Sequence, residues 1–192
     1  MKKHRLLIIG ILCICIIITL IFIWYKRTHK FSYFFTSNEY TIEQSKSDKI
    51  IKFNLNLTNP EAEIGRKIEI DDNCYFEIVA LQLQSNNQYT IVFESYGNNV
   101  DNPKYIYTAN YYNFQNDKVF ITSKTDLISN KDENWYYSSN TYFQDNGDSF
   151  GFNIESEIVK NKENCMIEIS NLNYIEFKKK IDYNFIIKEI TY

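Results

Sequence analysis

Residues 49–58, KIIKFNLNLT, alternate with a period of two: Ile51, Phe53, Leu55 and Leu57 fall on one side, and Lys52, Asn54, Asn56 and Thr58 on the other. Successive side chains of a strand point to opposite faces, so this stretch reads as a half-buried β-strand. Asn59-Pro60 ends it, because proline has no amide proton to give to a ladder. Downstream, Ile64, Ile68 and Ile70 suggest a short strand. Residues 74–84 and 88–96 are two β-rich runs joined by Ser85-Asn86-Asn87, the pattern of a hairpin. In the first run Cys74, Phe76, Ile78 and Ala80 share one face and Val79, Leu81 and Leu83 the other, which predicts a central strand covered on both sides.

Residues 105–114 and 118–123 form another expected strand pair around Gln115-Asn116-Asp117. Residues 124–134 read as an irregular connection with room for a helical turn. Residues 135–143 form a strand rich in Tyr and Ser, followed by alternation at Phe150, Phe152, Ile154 and Ile158 and by a strand over 165–172. Ile181, Tyr183, Phe185 and Ile187 alternate in the last strand, with a β-bulge expected at Ile186. About nine or ten short strands with polar turns every 8–14 residues predict an all-β domain, an antiparallel β-sandwich of immunoglobulin-like architecture, with a barrel as the alternative. The likeness to immunoglobulin domains is architectural only: Trp135 comes 61 residues after Cys74, and Glu163 stands where the corner tyrosine would. With 5 Gly and 2 Pro in 192 residues, the turns rest on Asn and Asp, which tolerate left-handed backbone.

Upstream lies a different kind of segment. Residues 6–25, LLIIGILCICIIITLIFIWY, hold no charge and are flanked by Lys2, Lys3 and Arg5 before and Lys26, Arg27 and Lys30 after. As a helix this run spans about 30 Å, the thickness of a bilayer's hydrocarbon core, with Trp24 and Tyr25 placed for the interface. The one small pair at cleavage spacing, Cys13 and Cys15, is followed by IIITLIFIWY, which a cleavage site would not precede, so an uncleaved transmembrane anchor is expected. The organisation read from the sequence is a tail at 1–5, a membrane helix at 6–25, a juxtamembrane linker at 26–38 and the β-domain at 39–192. The aromatic run 31–37, FSYFFTS, reads as a first strand or as a segment resting on the interface. Three Lys/Arg on each side leave the charge rule tied. The domain carries all 24 Asp and Glu against 15 Lys and Arg, about −9, and is expected outside the cytoplasm.

An acidic domain is poorly suited to nucleic acid, whose phosphates must be neutralised. Both histidines, His4 and His29, flank the apolar run, so Ser–His and Cys–His catalysis and His-ligated zinc are closed to the β-domain. There is no Gly-rich phosphate loop and no CxxC. Oxygen-rich turns at 145–148 and 130–134 do not fit an EF-hand, since Trp135 and Thr141 take its sixth and twelfth places. No cofactor and no metal site is expected.

Two aromatic clusters remain as candidate binding residues: Tyr105, Tyr107, Tyr111 and Tyr112, and Trp135, Tyr136 and Tyr137, with Tyr142 nearby. Tyr and Trp suit sugar stacking or a protein partner, though alternate ones on a strand belong to the core. Cys13 and Cys15 sit in the apolar run as small hydrophobes. Cys74 and Cys165 each open a β run in phase with apolar residues and are expected to face inward, where a disulfide is one outcome and two buried thiols the other. The expected function is a membrane-anchored, non-enzymatic binding or interaction module for a protein partner or surface glycan. The alternatives are an accessory subunit of an envelope secretion or transfer complex and a carboxylate-based glycan hydrolase.

Overall fold

The computed structural model describes residues 2–28, 31–97, 104–115, 118–123, 125–129, 135–142, 148–156 and 165–180; for 2–9, 26–28, 31, 32, 36, 118, 135, 136, 141 and 142 it describes the backbone alone. Two helices, α1 (Lys2–Thr28) and α2 (Phe31–Thr36), precede the strands. These are β1 (Tyr40–Lys46), β2 (Ile51–Leu55), β3 (Lys67–Asp71), β4 (Cys74–Leu83), β5 (Gln88–Tyr96), β6 (Tyr105–Thr108) and β7 (Asn110–Gln115). They continue with β8 (Lys118–Ser123), β9 (Asp126–Ser129), β10 (Trp135–Ser138), β11 (Asn140–Tyr142), β12 (Asp148–Glu155), β13 (Cys165–Ser170) and β14 (Asn173–Lys179). All pairings are antiparallel, in sheets ordered β1-β14-β6, β10-β9-β13-β2, β11-β12-β5-β4-β3 and β7-β8. The fold is all-β and sandwich-like.

The three larger sheets are linked by strands that turn a corner. β1 pairs with β14 from Tyr40↔Lys179 to Lys46↔Asn173, and the next strands along, β2 and β13, pair from Ile51↔Ile169 to Leu55↔Cys165. Between the two ladders residues 47–50 face 170–172, and the Ser47 amide donates to the Leu172 carbonyl at 2.9 Å. It is one bent ladder with an extra residue on its first strand, as bulged corners have. Asn171 adopts φ +59° there, which asparagine tolerates.

Two more strands bend in the same way, and here the expectation of continuous strands is corrected. The run from Tyr105 breaks at Ala109 into β6 and β7, which belong to different sheets. The run from Trp135 breaks at Ser139, whose amide donates to the Thr125 carbonyl (2.9 Å) while its Oγ accepts from the Thr125 amide (2.8 Å). Small buried residues stand at both corners, and the Ala109 carbonyl accepts from the Asn173 side-chain amide at 3.2 Å.

The five-stranded and four-stranded sheets enclose the main core. Phe93 of β5 is its hub, with ring centroids of Phe53, Phe76, Phe150 and Phe152 at 6.0, 6.1, 5.4 and 6.3 Å. Burial of each such side chain contributes about 1.5–3 kcal/mol. Ile51, Phe53, Leu55 and Leu57 face inward as the alternation predicts, and the β4–β5 hairpin forms with Asn87 at φ +64°. The two-sided burial expected for β4 does not hold. A bulge between Ile78 and Ala80 changes the phase, so Leu81 turns inward and Leu83 is left exposed.

A second core forms on the other face of the β1-β14-β6 sheet, between Phe34, Ile106, Tyr112, Ile175 and Phe177. Phe34 comes from α2, so the aromatic run is not the first strand of the domain: Phe31–Thr36 is a helix whose Phe34 packs into this core. Phe34 lies 5.0 Å from Tyr40 and 5.2 Å from Phe177, and the Tyr33 hydroxyl donates to Glu39 at 2.8 Å. β9 lies within the expected irregular connection, with Leu127 and Ser129 inward, and β14 follows the strand expected over 165–172, in a stretch to which the sequence reading assigns no strand. The expected last strand at 181–187 lies outside the described residues, as do the turns at 130–134 and 145–147.

Side chains of α1 are described over residues 10–25, where all are exposed, Ile, Leu and Phe included. The Thr19 hydroxyl donates back to the Cys15 carbonyl at 2.8 Å. Among the described residues, which for the side chains of α1 are 10–25, no helix is long and apolar enough to cross a membrane.

Candidate functional site

At the β3–β4 turn the outer face of the five-stranded sheet opens into a cleft of about 460 Å³. The turn Asp71-Asp72-Asn73 closes tightly because the Asp71 carboxylate accepts the Asn73 amide at 2.9 Å. Register then brings distant residues into two rows across the strands. One row is Glu69, Tyr75 and Tyr96; the next is Lys67, Glu77, Glu94 and Ser149. Tyr75 stacks on Tyr96 with centroids 5.0 Å apart and planes 18° from parallel. The Lys67 ammonium sits 4.5 Å from the Tyr75 ring centroid, an aromatic face already holding a cation. Glu69, Asp71, Asp72 and Tyr75 line the cleft, with Gly97 and Cys74 at its base.

Two candidate tyrosines support this turn from below. The Tyr105 hydroxyl accepts from the Asn73 amide group at 3.0 Å, and its carbonyl takes the Cys74 thiol at 3.6 Å. Burial pushes Tyr107 up to about 12, helped by the negative charge of Asp71 and a hydrogen bond to it. Cys74 is also pushed up to about 12, first by burial and then by Asp71, so it is a thiol at neutral pH and no nucleophile. Burial, with the hydrogen bond to Glu94 (2.8 Å), likewise raises Tyr96.

The other aromatic candidates do not converge on the cleft. Tyr112 is a second-core residue, 4.1 Å from a stacked Phe35, and Tyr111 faces away from it at 44% exposure. Tyr137 packs against the main core from β10; the side chains of Trp135, Tyr136 and Tyr142 lie outside the described residues. Cys74 and Cys165 are both buried and face inward, as the alternation around each predicts. The Cys74 thiol lies against the Tyr105 carbonyl of β6, whereas Cys165 opens β13 opposite Leu55.

The sequence reading missed Glu69, Asp71, Asp72, Tyr75 and Lys67. Locally they spell an ordinary polar turn; only the register of β3, β4 and β5 gathers them. Glu77 and Glu94 are likewise a carboxylate pair made by register, Cα partners across β4 and β5, with Glu94 buried and one of its oxygens without a hydrogen-bond partner. Among the described residues no group of acidic, Cys or His side chains is arranged to hold a metal ion. Compared with protein-family models, curated proteins and solved structures, the chain matches none.

Proposed function

We propose that this chain is a single-pass membrane protein presenting an extracytoplasmic β-sandwich, of immunoglobulin-like architecture, whose β3–β4 cleft binds a protein partner through a basic segment. The observation that carries the binding role is the cleft itself: carboxylates beside a tyrosine face on which Lys67 already rests. Its volume falls in the range of ligand sites, and acid plus aromatic is the chemistry that takes ammonium or guanidinium groups. The anchor rests on residues 6–25, an uncharged run that fits a bilayer. The exposed Ile, Leu and Phe along α1 support it, since each would cost about 1.5–3 kcal/mol in water relative to burial. The Thr19 hydroxyl bonded to its own helix fits the same setting.

The test is binding of Lys/Arg-rich peptides to the full chain in lipid discs. Peptide binding that falls in Glu69→Gln/Asp72→Asn, two exposed positions, is the expected result. Equal binding of acidic and basic peptides, unchanged in that variant, removes the cleft from the function. Carbonate-resistant sedimentation with membranes tests the anchor separately.

The Glu77–Glu94 pair favours one second reading, a carboxylate-based glycan hydrolase. Side chains directly opposite on a ladder stand about 4.5–5.5 Å apart at Cβ, close enough for paired acid chemistry. Release of reducing ends from polysaccharide by the wild type, lost in Glu94→Gln, would establish it; no release from the wild type ends it.

A further inference from the structure

The β7–β8 ribbon pairs with no other strand among the described residues, and it carries exposed aromatics just behind its turn. Phe114, Phe120 and Tyr111 are 45%, 51% and 44% exposed. Pairing sets their faces. Phe114 is opposite Val119 on the side that meets α2, while Asn113↔Phe120 and Tyr111↔Thr122 put Phe120 and Tyr111 diagonally on the outer side. Aromatic rings therefore flank both faces of a ribbon that ends in the polar sequence Gln115-Asn116-Asp117-Lys118.

The ribbon is fixed to α2. Phe35 stacks on Tyr112 (4.1 Å, 25°) and on Phe114 (6.4 Å, 15°). Further, α2 is fixed to the domain through Phe34 and the Tyr33–Glu39 bond, and only residues 29 and 30 separate it from α1. Three Cα steps and one turn of helix keep Phe35 within about 17 Å of the end of α1, however those two residues are arranged. If α1 spans the bilayer, the ribbon cannot leave the neighbourhood of the headgroups.

We infer that the β7–β8 ribbon is an interfacial foot, seating Phe114, Phe120 and Tyr111 among the lipid headgroups and fixing the domain's tilt on the membrane. This rests on the anchor reading above. The Tyr111 ring, apolar with a polar end, favours that layer, and the apolar Phe114 and Phe120 rings favour the boundary with the acyl chains. The polar sequence after Phe114 opposes deeper insertion.

The full chain is reconstituted in vesicles of phosphatidylcholine, with or without bromine on the upper acyl carbons. In the background Trp24→Phe/Trp135→Phe, the sole indole is supplied by Phe120→Trp; in a parallel protein, Trp135→Phe alone leaves Trp24 to report on the anchor. The expected result is loss of emission with brominated lipid in both proteins. Unquenched Phe120→Trp with quenched Trp24 overturns the foot and leaves the anchor standing. Unquenched Trp24 overturns the anchor and the foot with it.

Discussion

The Tyr112 hydroxyl donates to the Asp148 carboxylate in a site closed to solvent, joining the second core to the five-stranded sheet. The Asn110 side chain donates to the same oxygen at 2.7 Å. Burial raises Asp148 above the ordinary carboxylate range, while the polar groups around it, Thr108, Tyr112 and Asn110 among them, oppose that shift. Burial beside that carboxylate also holds Tyr112 protonated.

A raised folded-state value means that the native protein binds a proton more tightly than the unfolded chain does. The stability from Asp148 is therefore fully present below its unfolded value near about 4 and is lost as pH rises through the folded value. Asp148→Asn, neutral at every pH, should lack that decline. Urea midpoints of the two proteins between acid and neutral pH check it; parallel curves would refute the assignment. Tyr112→Phe removes one donor from the buried carboxylate and should cost about 1–3 kcal/mol.

Phe93 touches four phenylalanines from three other strands and both main sheets. Phe93→Ala should cost about 3–5 kcal/mol, measured by denaturant unfolding. Tyr111→Ala, at an exposed position, should stay within about 0.5 kcal/mol of wild type. Tyr111 and Tyr112 are chain neighbours, so the contrast tests the face assignment of β7 directly.

What was legible in the sequence follows a physical line. Period-two burial around Phe53, Phe76 and Phe152 is local, and it gave the all-β class and the β4–β5 hairpin. The corners at Ala109 and Ser139 were hidden, because propensity is blind to which sheet a strand joins. The bulge after Ile78 reversed the facing of Ala80 and Leu81 for the same reason. The cleft was hidden more deeply: Glu69, Tyr75 and Tyr96 are neighbours only through pairing. Tyrosine enrichment pointed to Tyr105 and Tyr107, which brace the site's floor, and passed over Tyr75, which forms its wall.

The thiols give a chemical check on the core. Cys74 and Cys165 are both buried, and burial beside Asp71 pushes Cys74 up to about 12. Native protein at mildly alkaline pH should resist alkylation at both positions, and unreduced protein in denaturant should take the label at both. A mass unchanged by alkylation in denaturant would show a bridge, and with it a different packing of β4 against β13.

Lys67 offers the sharpest test of the cleft. Its ammonium covers the Tyr75 ring, so an incoming cation must displace it or settle beside it against like charge. Lys67→Met keeps the aliphatic stem, frees the ring and leaves the neighbouring carboxylates unchanged. Cation–π contacts at exposed sites are worth about 0.5–1 kcal/mol, which is about two- to fivefold in affinity. Lys67→Met should therefore bind a basic peptide more tightly by about that factor, and Tyr75→Leu should bind it more weakly. Both differences should persist in moderate salt better than the contribution of Glu69 and Asp72, which are exposed and screened. Titration by calorimetry at two salt concentrations measures all three, and weaker binding by Lys67→Met would mean that the ammonium supports the cleft's shape instead of occupying its ligand's place.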